Sequence, residues 1–192
     1  MNLKKAKWLI PLLALLVIFE SILVVERLSK KVSQEERSSL PVELKEEEPV
    51  MISWEGENQI VAGEEGEVKV VMTTLKNLAL DGIDVLIEYD PEYLEIIGTD
   101  PSDRFSYLAR NWIEPEKKRI LVSMLETDLP EGVSFEAGEG VTLLTIKYTA
   151  LKSGKTKLKI IGGDDQAGTV LAENGTAQKI PFTSEEFMIK ID

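Results

Sequence analysis

Residues 82–98 read GIDVLIEYDPEYLEIIG, and the first half of this stretch alternates with a period of two. One parity carries Ile83, Val85, Ile87 and Tyr89, and the other carries Asp84, Leu86 and Glu88. Successive side chains of a β-strand point to opposite faces of the sheet, so this alternation predicts a strand with one buried face. Asp90-Pro91 follows, and such a dipeptide favours a turn. The stretch therefore predicts a strand, a turn and the beginning of a second strand.

The same period returns along the chain from residue 50 to residue 192. Further alternating runs occupy residues 67–72, 141–148 and 157–160, with Gly, Pro, Asn and Asp in the gaps between them. Asn174-Gly175 is the kind of dipeptide that closes a two-residue hairpin. Strands do not alternate with helices, so an all-β sandwich of two sheets with nine to ten strands is expected. Residues 100–110 are the one stretch that is expected to be irregular or helical.

Two segments of different composition precede this domain. Residues 1–28 place three lysines before an apolar run at 8–25, which favours an uncleaved signal anchor over a cleaved signal peptide. Lysines on the amino-terminal side keep that end in the cytoplasm. We therefore expect residues 8–28 to form one transmembrane helix, with the domain extracytoplasmic or at the cell surface, or secreted if the segment is cleaved. Residues 29–49 are rich in Lys, Glu, Ser and Gln, which predicts a charged flexible linker.

The composition excludes several classes of function. The chain has 22 basic and 34 acidic residues, a formal net charge of −12. Such a surface repels phosphate backbones, so nucleic acid is not expected as a partner. Cysteine and histidine are absent, which removes disulfides, Cys/His metal sites and any Ser-His-Asp relay. Asp164-Asp165-Gln166 is typical of a turn and lacks the spacing of a calcium loop. We predict no enzyme activity, no cofactor and no metal.

Five motifs occur along the domain in a fixed order. They are GEVKV at 66–70, the YDP-x-x-LE turn within 82–98, RILVSMLETD at 119–128, GVTLLTIKYTALK at 140–152, and the strand at 156–161. In order and spacing they resemble the second to fourth and the sixth to eighth strands of cohesin modules, over about residues 50–192. The resemblance implies a nine-stranded jelly-roll β-sandwich. It also implies that the module docks a protein partner, typically a dockerin, through one sheet face.

The resemblance further implies where that partner binds. In the family, the partner face includes outward residues of the third and sixth strands. The matching positions are Asp84, Leu86 and Glu88 on the third strand and Val122, Met124 and Thr127 on the sixth. Leu86 and Met124 are the expected anchors, and Asp84 and Glu88 would set electrostatic selectivity. Which parity of residues 119–126 faces outward stays open, because both sides of that strand are apolar.

Two other functions remain open. A carbohydrate-binding module would act in polysaccharide degradation and would bind its glycan through exposed aromatic side chains. Trp112 and Tyr107 are the candidates, although either could be a packing residue instead. Alternatively, the domain is a structural part of a surface assembly and contacts copies of itself or an envelope complex. Glu20, which interrupts the apolar run, lies either near the outer end of the span or at a contact within such an assembly.

Overall fold

The computed structural model describes residues 49–163 and 168–192. The predicted membrane span at 8–28, nearly all of the linker at 29–49 and the turn at 164–166 lie outside the described residues. Among the residues that are described, no helix is both long and apolar enough to cross a membrane.

The regular structure of these residues consists of thirteen strands and one turn of 3-10 helix, at Pro115–Lys117. The strands are β1 (Val50–Gly56), β2 (Gln59–Ile60), β3 (Glu65–Thr74), β4 (Leu78–Glu88), β5 (Leu94–Pro101), β6 (Tyr107–Glu114), β7 (Arg119–Leu125), β8 (Val133–Phe135), β9 (Gly140–Ala150), β10 (Gly154–Ile160), β11 (Val170–Glu173), β12 (Phe182–Ser184) and β13 (Phe187–Ile191). The sequence predicted nine to ten strands, and the resemblance to cohesin modules implied nine. Four strands of two to four residues, β2, β8, β11 and β12, account for the difference, because they form where a loop pairs with a longer strand.

The strands form two sheets, which confirms the all-β sandwich. The smaller sheet has the order β12-β1-β3-β9-β5, and the larger has the order β2-β13-β10-β4-β7-β6, with β8 and β11 also paired to β4. The pairs are antiparallel except for β1 with β12 and β2 with β13. These two parallel pairs join early strands of the described domain to its last ones.

A single hydrophobic core fills the space between the sheets. Each aliphatic side chain that is fully buried there contributes about 1.5–3 kcal/mol to stability. In β4, Ile83, Val85 and Ile87 are at most 1% exposed, and Tyr89, just after the strand, is 3% exposed. The inward parity predicted for residues 83–89 is therefore confirmed. The outer side of β4 carries the other parity, which leads to the candidate site.

Candidate functional site

Three neighbouring strands of the larger sheet, β4, β7 and β6, place a mixed set of side chains on its outer side. Directly opposed residues of an antiparallel pair point to the same side of the sheet. The register opposes Asp84, Leu86 and Glu88 to Ser123, Leu121 and Arg119, and it opposes Leu121 and Leu125 to Trp112 and Tyr107. The β6–β7–β4 face consists of Tyr107, Arg110, Trp112 and Glu114 of β6, Arg119, Leu121, Ser123 and Leu125 of β7, and Asp84, Leu86 and Glu88 of β4.

The most exposed apolar side chains of this face lie on β6 and β7. Tyr107 is 54% exposed, Trp112 is 51% exposed and Leu125 is 40% exposed. Arg110 lies over the indole ring, with its guanidinium carbon 5.2 Å from the centroid of Trp112. This cation–π contact orients the ring and keeps a positive charge beside it. Both aromatic candidates from the sequence therefore lie on the surface, where a ligand can reach them.

Two of the residues predicted to contact a partner lie in the core instead. Val122 is 0% exposed and Met124 is 1% exposed. The cause is the strand parity that the sequence left open: β7 turns Val122 and Met124 toward the inward residues Val85 and Ile83 of β4. The prediction that their side chains contact a partner is therefore wrong. The outward residues of β7 are those of the other parity, Leu121, Ser123 and Leu125.

Leu86 lies on the outer side of the sheet as predicted, but it is only 7% exposed. Thr169 adjoins β4 at this point, and its hydroxyl accepts a hydrogen bond from the Leu86 backbone N–H at 3.0 Å. Leu86 lines a small pocket of about 320 Å³ together with Trp112, Leu121 and Val170. It is therefore not a protruding anchor. A partner would meet it only through a side chain inserted into that pocket.

The polar members of the predicted site occupy the edges of the face. Asp84 is partly exposed and Glu88 is exposed, both on the outer side of β4. Thr127 is exposed just beyond the end of β7, where its backbone N–H donates a hydrogen bond to the Ser106 hydroxyl at 2.8 Å. The structure thus places Asp84 and Leu86 in one pocket with Trp112. Glu88 lies further along β4, opposite Arg119, and Thr127 lies beyond the end of β7.

A row of lysines that sequence reasoning did not select continues the same side of the sheet. Lys155, Lys157 and Lys159 of β10 are exposed, while Thr156, Leu158 and Ile160 between them are buried. Lys159 lies opposite Glu88, and Lys190 of β13 lies opposite Lys155. Glu186 pairs with Lys157 at 2.7 Å. The alternation of lysines in the sequence was the available signal for this basic strip.

Glu114 binds two basic side chains, Lys117 and Arg119, at the other side of the face. Its carboxylate accepts hydrogen bonds from Lys117 at 2.7 Å and from Arg119 at 2.6 Å. The hydrogen bond from Lys117, followed by that from Arg119, holds the pKa of Glu114 below its usual value. The side chain therefore stays ionised near neutral pH and fixes Arg119 on the surface.

Over residues 49–163 and 168–192, no group of three acidic side chains is arranged to hold a metal ion. The Asp164-Asp165-Gln166 segment lies outside these ranges. Nothing in the geometry of the β6–β7–β4 face distinguishes a pair of carboxylates as an acid and a base. What the face offers is shape, apolar area and charge.

The fold matches that of several solved structures. A type I cohesin in complex with a dockerin, from Clostridium thermocellum, is 18% identical, with a TM-score of 0.58 over 74% of this chain and 99% of that one. A non-cellulosomal cohesin from Archaeoglobus fulgidus is 15% identical, with a TM-score of 0.54 over 74% and 91%. The domain has the cohesin fold. A type II cohesin from the cellulosome of Acetivibrio cellulolyticus is similar too, at 17% identity and a TM-score of 0.56 over 73% and 94%.

No protein-family model and no curated protein sequence matches the chain. Within the cohesin fold, β4 and β7 are the strands that the sequence motifs matched to the third and sixth strands of the family. The β6–β7–β4 face is built on these two strands and on the neighbouring edge strand β6.

Proposed function

We propose that this chain is a non-catalytic docking module that binds a protein partner through the β6–β7–β4 face. The observation that carries the proposal is the exposure of Trp112, Tyr107 and Leu125 on one side of one sheet, with charged groups around them. Aromatic and aliphatic side chains inside a charged rim are the usual anatomy of a binding interface. The cohesin fold, seen in a complex with a dockerin in the Clostridium thermocellum structure, supports a dockerin-bearing partner.

The partner's anchor fits between β6 and the chain around Thr169. Trp112, Leu121 and Leu86 line the pocket of about 320 Å³, which is large enough for one aliphatic or aromatic side chain. Trp112 provides the exposed wall of this pocket and carries most of the binding free energy. Leu121 and Leu86 form its apolar floor. Tyr107 and Leu125 extend the contact along β7.

The basic strip defines the charge of the partner. Residues 50–192 hold 26 acidic and 14 basic side chains, so the domain as a whole is acidic. Lys155, Lys157 and Lys159 nevertheless lie together beside Glu88 on the outer side of the larger sheet. Complementary charge accelerates association and selects among partners. The partner therefore presents carboxylates to this strip.

Residues 8–28 tether the module to the membrane in this proposal. The amino terminus is cytoplasmic, the linker at 29–49 separates the domain from the bilayer, and the domain is extracytoplasmic. The lysines before the apolar run support this orientation, because basic residues are retained on the cytoplasmic side.

Binding of the full chain to a panel of purified dockerin modules tests the docking function. The chain is kept in a neutral detergent and binding is measured by biolayer interferometry. Trp112→Ala is expected to weaken capture by about 30-fold or more, as truncation of a central aromatic residue does. Ile97→Ala is the matched control, because Ile97 is 51% exposed on β5 of the other sheet. An equal loss for Ile97→Ala, or no capture of any dockerin by the unaltered chain, would contradict the proposal.

The exposed aromatic pair also favours a second candidate, binding of a polysaccharide. Trp112 and Tyr107 lie on the same side of β6, and sugar rings stack on such side chains. Retention of the full chain on insoluble cellulose or xylan in a pull-down assay, lost in Trp112→Ala and accompanied by no dockerin capture, would establish this function instead. The structural role in a surface assembly has no comparable observation in its favour.

A further inference from the structure

The Asn174-Gly175 dipeptide, which the sequence placed in a turn, is tied to β4 by one carboxylate. Asn174 follows β11 directly, and its side-chain amide donates a hydrogen bond to Oδ1 of Asp81 at 2.6 Å. The backbone N–H of Gly175 donates to Oδ2 of the same carboxylate at 3.0 Å. Asp81 therefore holds the side-chain nitrogen of one residue and the backbone nitrogen of the next. These residues lie outside the β6–β7–β4 face, so their role is independent of the docking proposal.

The loop that follows β7 completes this arrangement. The Asn174 amide also donates to the carbonyl oxygen of Pro130 at 3.0 Å, so both of its N–H groups are used. Gly132 has a φ of 71°, and a Cβ atom there would lie 3.0 Å from Nδ2 of Asn174. Only glycine therefore lets the loop approach this side chain. The Asn174 node consists of Asp81, Pro130, Gly132, Asn174 and Gly175.

An asparagine followed by glycine is chemically reactive, because glycine has no side chain to hinder its backbone nitrogen. The Gly175 nitrogen attacks Cγ of Asn174, a new C–N bond closes a five-membered ring, and the Cγ–Nδ2 bond breaks. The proton of the Gly175 N–H ends on the departing nitrogen, which leaves as ammonia. Water then opens the ring at either carbonyl and leaves aspartate or isoaspartate. Asn174 is the only asparagine of the chain that glycine follows.

Asp81 opposes both parts of this reaction. The Gly175 nitrogen attacks once its proton is lost, and a neighbouring negative charge disfavours the amide anion that results. A carboxylate is itself too weak a base to remove an amide proton. The hydrogen bonds that Nδ2 of Asn174 donates must break before ammonia can leave, and a hydrogen bond to a charged group is of the stronger kind. The closed node therefore slows the conversion of Asn174.

We infer that Asn174 is a latent modification site, which Asp81 keeps as the amide while the node is closed and whose conversion to the acid opens the node permanently. The new carboxylate would face Asp81 where the amide now donates at 2.6 Å, and like charges this close repel one another. It also has no N–H to donate to Pro130. Conversion therefore releases the loop after β7 and the turn after β11 from β4.

The rate of conversion in the full chain, kept in neutral detergent at neutral pH, tests this inference. Mass spectrometry of the tryptic peptide 160–179, which contains no other asparagine, measures the acid that forms. Asp81→Ala is expected to speed conversion about tenfold or more, since it removes two charge-assisted hydrogen bonds. Asp128→Ala is the matched control, because Asp128 is an exposed carboxylate in the same loop as Pro130, and it is expected to leave the rate unchanged.

The unaltered chain supplies a second measurement that needs no variant. Unfolded in guanidinium chloride, it should convert about tenfold or more faster than when it is folded, because the node is then open. Equal rates in the folded and the unfolded chain would overturn the inference. Equal rates in Asp81→Ala and Asp128→Ala would overturn it as well.

Asn174→Asp, which carries the product side chain, tests the opening of the node. Backbone hydrogen exchange over residues 126–132 is expected to be about tenfold or more faster in this variant, because the loop has lost its tie to β4. Asn77→Asp is the matched control: its side-chain oxygen can still accept the hydrogen bond from the Ala137 N–H at 3.0 Å. Exchange that is unchanged in Asn174→Asp, or equally fast in Asn77→Asp, would contradict the release of the loop.

Discussion

Glu126 is the residue that holds the end of β7 to the start of β6. Its carboxylate accepts hydrogen bonds from the backbone N–H groups of Asp128 at 2.7 Å and Leu129 at 2.9 Å. It also accepts one from the Ser106 hydroxyl at 2.9 Å. The hydrogen bond from Asp128, the largest cause, holds the pKa of Glu126 below its usual value. The loop before β6 and the loop after β7 therefore both depend on one ionised side chain.

The position of Glu126 predicts a pH dependence of stability. Because its pKa is lowered on folding, its contribution is present above the unfolded-state pKa of about 4.3 and is lost as pH falls through the folded-state value. Urea unfolding at pH 7 and at about pH 3.5 measures this contribution. Glu126→Gln is expected to show a smaller loss of stability between the two pH values than the unaltered chain. Glu131→Gln, an exposed neighbour, should lose as much as the unaltered chain, and equal behaviour of both variants would contradict the assignment.

Leu86 shows how much the alternation of residues in one strand can predict about a single side chain. Its position between Asp84 and Glu88 correctly indicated the outer side of the sheet. It is nevertheless almost fully buried, in a pocket that it shares with Trp112 and Val170 of other strands. A periodic pattern reports which way a side chain points, but it carries no information on which distant residues lie around it. The sequence also left open whether Trp112 is exposed. It is exposed because its strand, β6, lies at the edge of the larger sheet.

At the scale of elements, β7 is the strand that the sequence could not orient. Arg119–Leu125 reads RILVSML, and apolar residues occupy both parities. The pairing with β4 decides the matter by placing Val122 and Met124 over the core. Two adjacent residues of this strand therefore differ sharply in environment: Met124 is 1% exposed and Leu125 is 40% exposed.

This difference predicts unequal effects of two neighbouring substitutions. Met124→Ala leaves a cavity in the core and is expected to lower the free energy of unfolding by about 2–5 kcal/mol. Leu125→Ala removes surface apolar area and is expected to change it by about 0.5 kcal/mol or less. Chemical denaturation of the two variants measures both values. A larger loss for Leu125→Ala would mean that β7 presents its other side to the core.

β6 illustrates a strand that alternation does not reveal. The sequence indicated an irregular or helical stretch at 100–110, but Tyr107–Glu114 is an edge strand, six of whose eight residues are exposed. It exists because β7 offers it a hydrogen-bonding edge, with a bulge between Leu108 and Arg110. A strand with little buried area has a weak hydrophobic period. Tertiary pairing alone defines it, so the strand that carries Trp112 was not identified from the sequence.

At the scale of the whole molecule, charge is distributed unevenly. The domain is acidic overall, whereas Lys155, Lys157 and Lys159 stand together on one side of the larger sheet. In the docking function that we propose, this separation of charge steers an acidic partner toward the β6–β7–β4 face. Charges on the rim of an interface act mainly on the rate of association.

The uneven charge predicts that partner capture slows as salt is added. The association rate constant for a captured dockerin should fall severalfold between about 0.05 and 0.5 M NaCl, where screening shortens the reach of charges to a few ångströms. Lys155→Glu should lower the rate at low salt. Lys69→Glu, the same change on the smaller sheet, is the control, measured in the same stopped-flow experiment. A rate that is independent of both salt and Lys155 would contradict steering.

The fold class was accessible from the sequence because a period of two and frequent turns have one common explanation, a two-sheet sandwich. The order of strands within each sheet was not accessible. β1 pairs with β12 and β2 with β13, and neither short strand, Gln59–Ile60 or Phe182–Ser184, is long enough to show a period. Contacts between segments this far apart are settled by the packing of the completed molecule.

The two parallel pairs also constrain the biosynthesis of the protein. β1 leaves the ribosome before every other described strand, but β12, one of its two neighbours in the sheet, is among the last to be translated. In the same way, β2 cannot pair until β13 has been made. Until then the nascent chain exposes two unpaired strand edges, which are templates for association with other chains. Such distant pairings also close slowly. The two edges of a nascent chain of this protein therefore stay open to aggregation until β12 and β13 have left the ribosome.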